Sequence, residues 1–244
     1  MEHPHTLRAT APSKEALEAV NSSFAVAGIF RTREKTIRVF NQIRKELKVG
    51  MNEAEARKLA MQIYADHGAK KHWHRIYVRI GAGTCLTFNE PDESVATLQE
   101  NDPVYMDVGP VFKDDETNLE YEGDYGDSFV FSAQGSGKNP PAEKCAEFAR
   151  KLFREASLKW KQEKLTGQEI YQFLAKQNEG SGYVLHPAVL GHRLSDFPHQ
   201  RYTTEHLSDL SFAPSPDLWV LEVHLTDPVH HVGAFYEDIL GVES

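Results

Sequence analysis

Between Glu34 and Leu47 the apolar residues Ile37, Phe40, Ile43 and Leu47 recur at helical spacing and predict a first helix. Gly50 ends that segment. Asn52, with Glu55 three residues on, forms a capping-box pattern and opens a second helix through Leu59, Ile63 and Tyr64 to Gly68. Strand-like runs follow at Arg75–Ile80, Val104–Val108, Pro110–Phe112 and Ser128–Phe131. After the turn-rich stretch Gln134–Pro141 the helical period returns, with Cys145, Phe148, Ala149, Leu152, Phe153 and Ala156 on one face. Thr166 then caps a shorter helix ending near Gly180, and strand patterns close the chain at Trp219–Leu225 and Phe235–Leu240.

The order helix, helix, strands therefore occurs twice. Gly50-Met51-Asn52-Glu53 and Gly167-Gln168-Glu169 occupy matching places in the two runs. This repetition predicts an α+β domain of two similar halves over residues 34–244, preceded by an N-terminal arm and leading segment over residues 1–33. Two prolines and weak periodicity make the first thirteen residues a loose arm, and the acidic stretch Lys113–Asn118 reads as a loop insertion.

Composition narrows the class. With 40% apolar and 26% charged residues the chain has globular rather than disordered character. The 36 acids against 27 Lys and Arg leave a formal charge of −9, which disfavours a nucleic-acid binder. Two cysteines, Cys85 and Cys145, are too few for a disulfide framework or a cysteine-based zinc site. The apolar run Phe24–Phe30 is too short to span a membrane, so the expectation is a soluble, cytoplasmic protein with no membrane partner.

The acids supply the chemistry. Asp107 lies in the apolar run Val104–Val108, Asp124 precedes a strand, and Glu222 and Glu237 fall inside the two C-terminal strands. Each one alone reads as a partly buried carboxylate paired with Arg or Lys. Four on separate strands point instead to a cation, because a buried carboxylate is costly without one. His192 and His199, seven residues apart in Gly191–His199, can add imidazole donors, which shift preference toward transition metals.

The ordered set Asp107, Asp124, Gly191-His192, His199, Glu222 and Glu237-Asp238 resembles the M24 metallopeptidases, the pita-bread enzymes that include methionine aminopeptidase, prolidase and aminopeptidase P. The resemblance covers roughly residues 34–242. It implies two related αβ halves around a curved antiparallel sheet, in a compact form without the extra N-terminal domain that prolidase and aminopeptidase P usually carry. It also implies that Asp107, Asp124, His192, Glu222 and Glu237 hold two divalent ions, with Mn, Co, Fe and Zn all open. Asp124 precedes Phe129 by five residues, as the family's second Asp does; Asp127 is the rival. Glu222 would also serve as the proton acceptor, and His199 would contact the substrate carbonyl.

Three positions depart from the family pattern. Its upstream His falls within Thr87-Phe88-Asn89-Glu90-Pro91, at Phe or Asn; its Arg before the last Glu is Phe235; and Val223-His224 follows Glu222 where Pro is common. Strand alternation puts His224 on the same face as Glu222. His224, Phe235, and the pair His72 and His74 around Trp73 are therefore candidates for substrate-facing or supporting positions. Gly135-Ser136-Gly137-Lys138 lacks the Ser or Thr of a phosphate loop. The resulting expectation is a dinuclear metallohydrolase that cleaves a C–N bond in a small peptide-like substrate, in the manner of an Xaa-Pro aminopeptidase or dipeptidase. A non-catalytic peptide-binding module and a metal-dependent lyase or amidohydrolase of a modified amino acid are the alternatives. A homodimer is left open.

Overall fold

A computed structural model describes residues 12–88, 90, 96–135 and 137–242 of the chain. The loose arm expected over residues 1–13 falls almost wholly outside them, as do Asn89, Pro91 and Ser136. In chain order the helices are α1 (Lys14–Leu17), α2 (Val26–Glu46), α3 (Glu53–Asp66), α4 (Pro140–Glu163) and α5 (Gly167–Asn178). The strands are β1 (Lys71–His72), β2 (Tyr77–Ile80), β3 (Pro103–Val108), β4 (Pro110–Lys113), β5 (Glu120–Glu122) and β6 (Tyr125–Val130) in the first part. They continue with β7 (Val184–Leu185), β8 (His192–Arg193), β9 (Trp219–Asp227) and β10 (Val232–Ile239).

The expected repetition is present. α3 and α5 both open on full capping boxes, Asn52 with Glu55 and Thr166 with Glu169, each satisfying orphan N–H groups at the helix start. The helix expected from Glu34 instead begins at Val26. Its first turns carry the unbroken apolar run, which has no polar spacing to reveal a period. Gly28 lies in this added part because the Tyr121 ring packs there; a Cβ would stand 2.5 Å from its Cζ. The short strands β1, β5 and β7 escape pattern reading, since two or three residues cannot show alternation.

One sheet runs in the order β2-β3-β6-β10-β9-β7, with β8 also paired to β9; β1, β4 and β5 form a smaller sheet. All the ladders are antiparallel. Each half has its own apolar core. Val39, Phe40 and Ile43 of α2 and Ala56 and Ile63 of α3 pack with Val104, Met106 and Val108 of β3. Leu152, Phe153 and Ala156 of α4 and Ile170 of α5 pack with Leu221, Val223 and Leu225 of β9 and Tyr236 of β10.

Strand alternation then assigns the other face. Tyr105 and Asp107 of β3, Glu222 and His224 of β9, and Phe235 and Glu237 of β10 are all out of phase with the helix-facing residues. In β6 the same rule separates two acids: Asp127 turns toward α4, where Arg150 Nε donates to it at 2.9 Å. Asp124, three residues earlier, does not share that face.

A buried ion pair links α2 of the first half to β10 of the second. Arg33 of α2 donates through Nε and Nη2 to the two oxygens of Asp238 on β10, at 2.6 and 2.5 Å. The Asp238 side chain has no exposure, and burial pushes its carboxyl up even against Arg33. Removing one partner of a buried pair strands the other charge, which costs more than the pair itself stabilises. Arg33→Met should therefore lower the unfolding free energy by about 3–5 kcal/mol in urea titration, with Arg33→Lys recovering part of the loss.

Candidate metal centre

The sheet's second face gathers the acids between the two cores. Asp107, Asp124, Glu222 and Glu237 are each less than 9% exposed. Glu222 and Glu237 stand directly opposite each other in the β9–β10 ladder, and Glu237 is also register partner to Gly126 of β6. Gly126 pairs in turn with Asp107 of β3. Four neighbouring strands, β3, β6, β10 and β9, thus set Asp107, Gly126, Glu237 and Glu222 in one row, with Asp124 at the entry to β6.

Two imidazoles meet this cluster. His192 Nε2 lies 2.9 Å from Asp124 Oδ2 and 3.2 Å from Glu237 Oε1. His74 Nε2 lies 3.4 Å from Asp107 Oδ1 and 3.5 Å from Asp124 Oδ1. Two groups of three side chains have one ligand atom each within 4.8 Å of the others: His74, Asp107 and Asp124, and Asp124, His192 and Glu237. Asp124 belongs to both. Glu222 lies outside both groups; its Oε2 accepts from Gly191 N at 2.7 Å.

Several buried polar atoms here have no hydrogen-bond partner: His74 Nε2, Asp107 Oδ1, both Asp124 oxygens and Glu237 Oε2. Buried carboxylate oxygens are costly to leave so. Their convergence with imidazole nitrogen fits a divalent transition metal. Taken as protein groups alone, burial and mutual repulsion raise Asp107 to about 7 and push Glu222 and Glu237 up. Burial would also raise Asp124, but His192 and His74 hold it down at about 2. Burial opposes charge on His74 and His192 as well; the facing carboxylates win, lifting His74 to about 9 and His192 well above its usual value.

A cavity of about 300 Å³ opens over the cluster, lined by Trp73, His74, Tyr77, Phe88, His199 and Glu205 among others. Trp73 is the hub of its wall, with ring centroids 4.3, 4.6 and 4.9 Å from His74, His192 and His199. His199 is held by Glu122 of β5, whose Oε1 accepts from His199 N at 2.9 Å and whose Oε2 accepts from Nδ1 at 2.8 Å. A carboxylate can only accept, so Nδ1 carries the proton and Nε2 is left for the cavity.

The remaining candidates divide. His224 is buried, donates from Nε2 to Thr84 O at 2.9 Å, and is kept neutral by burial, which lowers it to about 4. It packs edge-on to Tyr105 and Phe235 beneath the cavity. Phe235 seats on Gly126, where a Cβ would come 2.3 Å from its ring. His72 stands edge-on to Tyr64 and does not line the cavity. Asp127, paired with Arg150, lies away from the cluster. Sequence reading missed Glu122 and the central role of Trp73. The placement of Trp73 between two histidines was the available signal; Glu122 sits on a strand too short to recognise.

Fold and site together describe a pita-bread protein with a carboxylate–imidazole centre. A sequence model of metallopeptidase family M24 matches residues 28–222, so the chain belongs to that family, which is metal-dependent. Solved structures share the fold. The prolidase from Pyrococcus furiosus has a TM-score of 0.72 at 15% identity, covering 95% of this chain and 67% of its own. The prolidase from Pyrococcus horikoshii OT3 gives 0.68 at 15% identity, covering 93% and 61%. The X-Pro aminopeptidase from Thermotoga maritima MSB8 gives 0.67 at 15% identity, covering 95% and 64%. The chain thus spans about three fifths to two thirds of their length. No curated protein matches the sequence significantly.

Raised groups in the cluster must lose their protons before they can ligate. Cation binding should therefore release protons and strengthen as pH rises from 5 to 8. Calorimetry of Co(II) binding in buffers of differing ionisation enthalpy should show this release, and weaker binding at the acid end.

Proposed function

We propose that the chain is a metal-dependent hydrolase that cleaves a C–N bond in a small peptide-like substrate, close in reaction to an Xaa-Pro aminopeptidase or dipeptidase. The convergence of partnerless buried oxygens and imidazole nitrogen under an open cavity carries this reading. Asp107, Asp124, His192, Glu222 and Glu237 would hold two divalent ions of the Mn, Co, Fe or Zn type. Bound there, the ions supply Lewis acidity toward the scissile carbonyl and make a water molecule acidic at neutral pH.

The protein's own groups handle the protons and the substrate. Glu222, fixed by Gly191 N, accepts a proton from the attacking water and passes it to the leaving nitrogen. His199, held through Nδ1 by Glu122, presents Nε2 to the cavity on the side where the substrate carbonyl would lie as negative charge develops on its oxygen. Trp73 and Phe88 exclude water from the reacting bond. A reducing cytoplasm suits the two free thiols, Cys85 and Cys145. No helix among the described residues is long and apolar enough to cross a membrane.

One observation favours a second reading. Phe88 lines the cavity and Phe235 packs beneath it, at positions where the family resemblance led us to look for His and Arg. An apolar wall of this kind suits a modified amino acid handled by an amidohydrolase or lyase.

Metal-reconstituted protein should be screened against Xaa-Pro dipeptides, Xaa-Pro-Xaa tripeptides and N-blocked amino acids, with chelator controls. Chelator-sensitive release of an amine or amino acid by hydrolysis is expected. His199→Ala should lower kcat about 10²–10³-fold while metal content stays unchanged. Full metal loading with no C–N hydrolysis of any substrate would end the peptidase reading.

A further inference from the structure

We infer that His74 is itself a metal ligand, so that each of two ions is bound by its own imidazole; the inference rests on reading the cluster as a dinuclear site. His74 and His192 are built alike. Each is followed by arginine, His74-Arg75 in the first half and His192-Arg193 in the second. Each ring donates from Nδ1 to the carbonyl of that following arginine, at 2.8 Å in both cases. A carbonyl only accepts, so both rings are fixed with Nδ1 protonated and Nε2 aimed into the cluster, where it can ligate once its own proton is released. Orientation by a backbone carbonyl through the other ring nitrogen is the usual setting of a ligating histidine.

The two rings also approach Asp124 in a matched way. His192 Nε2 faces Oδ2 and His74 Nε2 faces Oδ1, so one carboxylate is met from both sides. His74 Nε2 is buried without a hydrogen-bond partner, as are the two oxygens it faces. Its separations of 3.4 and 3.5 Å are long for hydrogen bonds to a carboxylate. They match donors that share one ion: two ligands bound at about 2.1 Å with tetrahedral angles stand about 3.4 Å apart. The backbone makes room for the ring. Gly109 follows β3, and a Cβ there would lie 2.2 Å from His74 Cδ2 and 2.3 Å from its Nε2.

A ring that only positioned substrate would not require this geometry. The second imidazole gives both metal positions nitrogen as well as carboxylate donors, which favours Co, Zn or Fe over Mg or Ca.

Cobalt(II) added to apoprotein tests the inference. The wild type should bind two ions by metal analysis. Its proton spectrum should show two hyperfine-shifted resonances that vanish in D2O, one from each Nδ1–H of His74 and His192. His74→Ala should lose one shifted resonance and bind one ion at least about tenfold more weakly, with His192→Ala giving the mirror result. Two bound ions with a single shifted imidazole N–H, or His74→Ala binding both ions with unchanged affinity, would overturn it. The wild-type spectrum decides the matter even if His74→Ala does not fold. Wild-type protein that binds no cobalt at all would instead overturn the dinuclear reading on which the inference stands.

Discussion

Four carboxylates and two imidazoles, nearly all withdrawn from water, face one another between two apolar cores. Like charges at such separations repel strongly in a poorly polarisable interior, and each carboxylate also loses its hydration. Protons or cations must be held there for the chain to fold around them. Most of the architecture serves that constraint. Four neighbouring strands place Asp107, Gly126, Glu237 and Glu222 in register, and Gly126 leaves the space a side chain would take. Helices cover the opposite face, so the ladder that holds the acids is itself held by apolar burial.

The repetition of the fold has a chemical counterpart. Each half provides a helix pair whose second member opens on a capping box, an apolar core and acid-bearing strands. Each also provides a histidine locked by the carbonyl of the next arginine. The halves meet at Asp124, which belongs to both ligand groups, and behind it Arg33 reaches from α2 to Asp238 of β10. This buried pair between the halves therefore sits one residue from a proposed ligand. Stability and site geometry are coupled through β10.

Around this centre part of the wall is apolar and aromatic, and part is polar, with His199, Gln200, Thr204, Glu205 and His206. Trp73 contacts three imidazole rings, Phe88 stands at the cavity, and Phe235 fills the floor with Tyr105 and Val189. His224 contributes beneath it as a neutral, buried donor that pins the turn at Thr84 to β9.

The chain's own pattern determined a good deal. Helical spacing and two capping boxes marked the paired helices, and acids interrupting apolar strands marked the cluster, because burying a carboxylate is too costly to occur idly. The ordered Asp, Asp, His, Glu, Glu series was enough to indicate the family. Other features were decided only in three dimensions. The spacing to Phe129 had already preferred Asp124 over Asp127, but the contact that takes Asp127 away, its pairing with Arg150 of α4, is visible only in the fold. The start of α2 was hidden by an unbroken apolar run. His74 and Glu122 lie in or beside strands of two and three residues, too short to carry a period. What brings His74 to Asp124 is the pairing of β1 with β4, with Trp73 N donating to Gly109 O, and what holds Glu122 to His199 is the pair of hydrogen bonds between them. Contacts between residues so far apart in sequence arise only in the folded chain, and no local spacing encodes them.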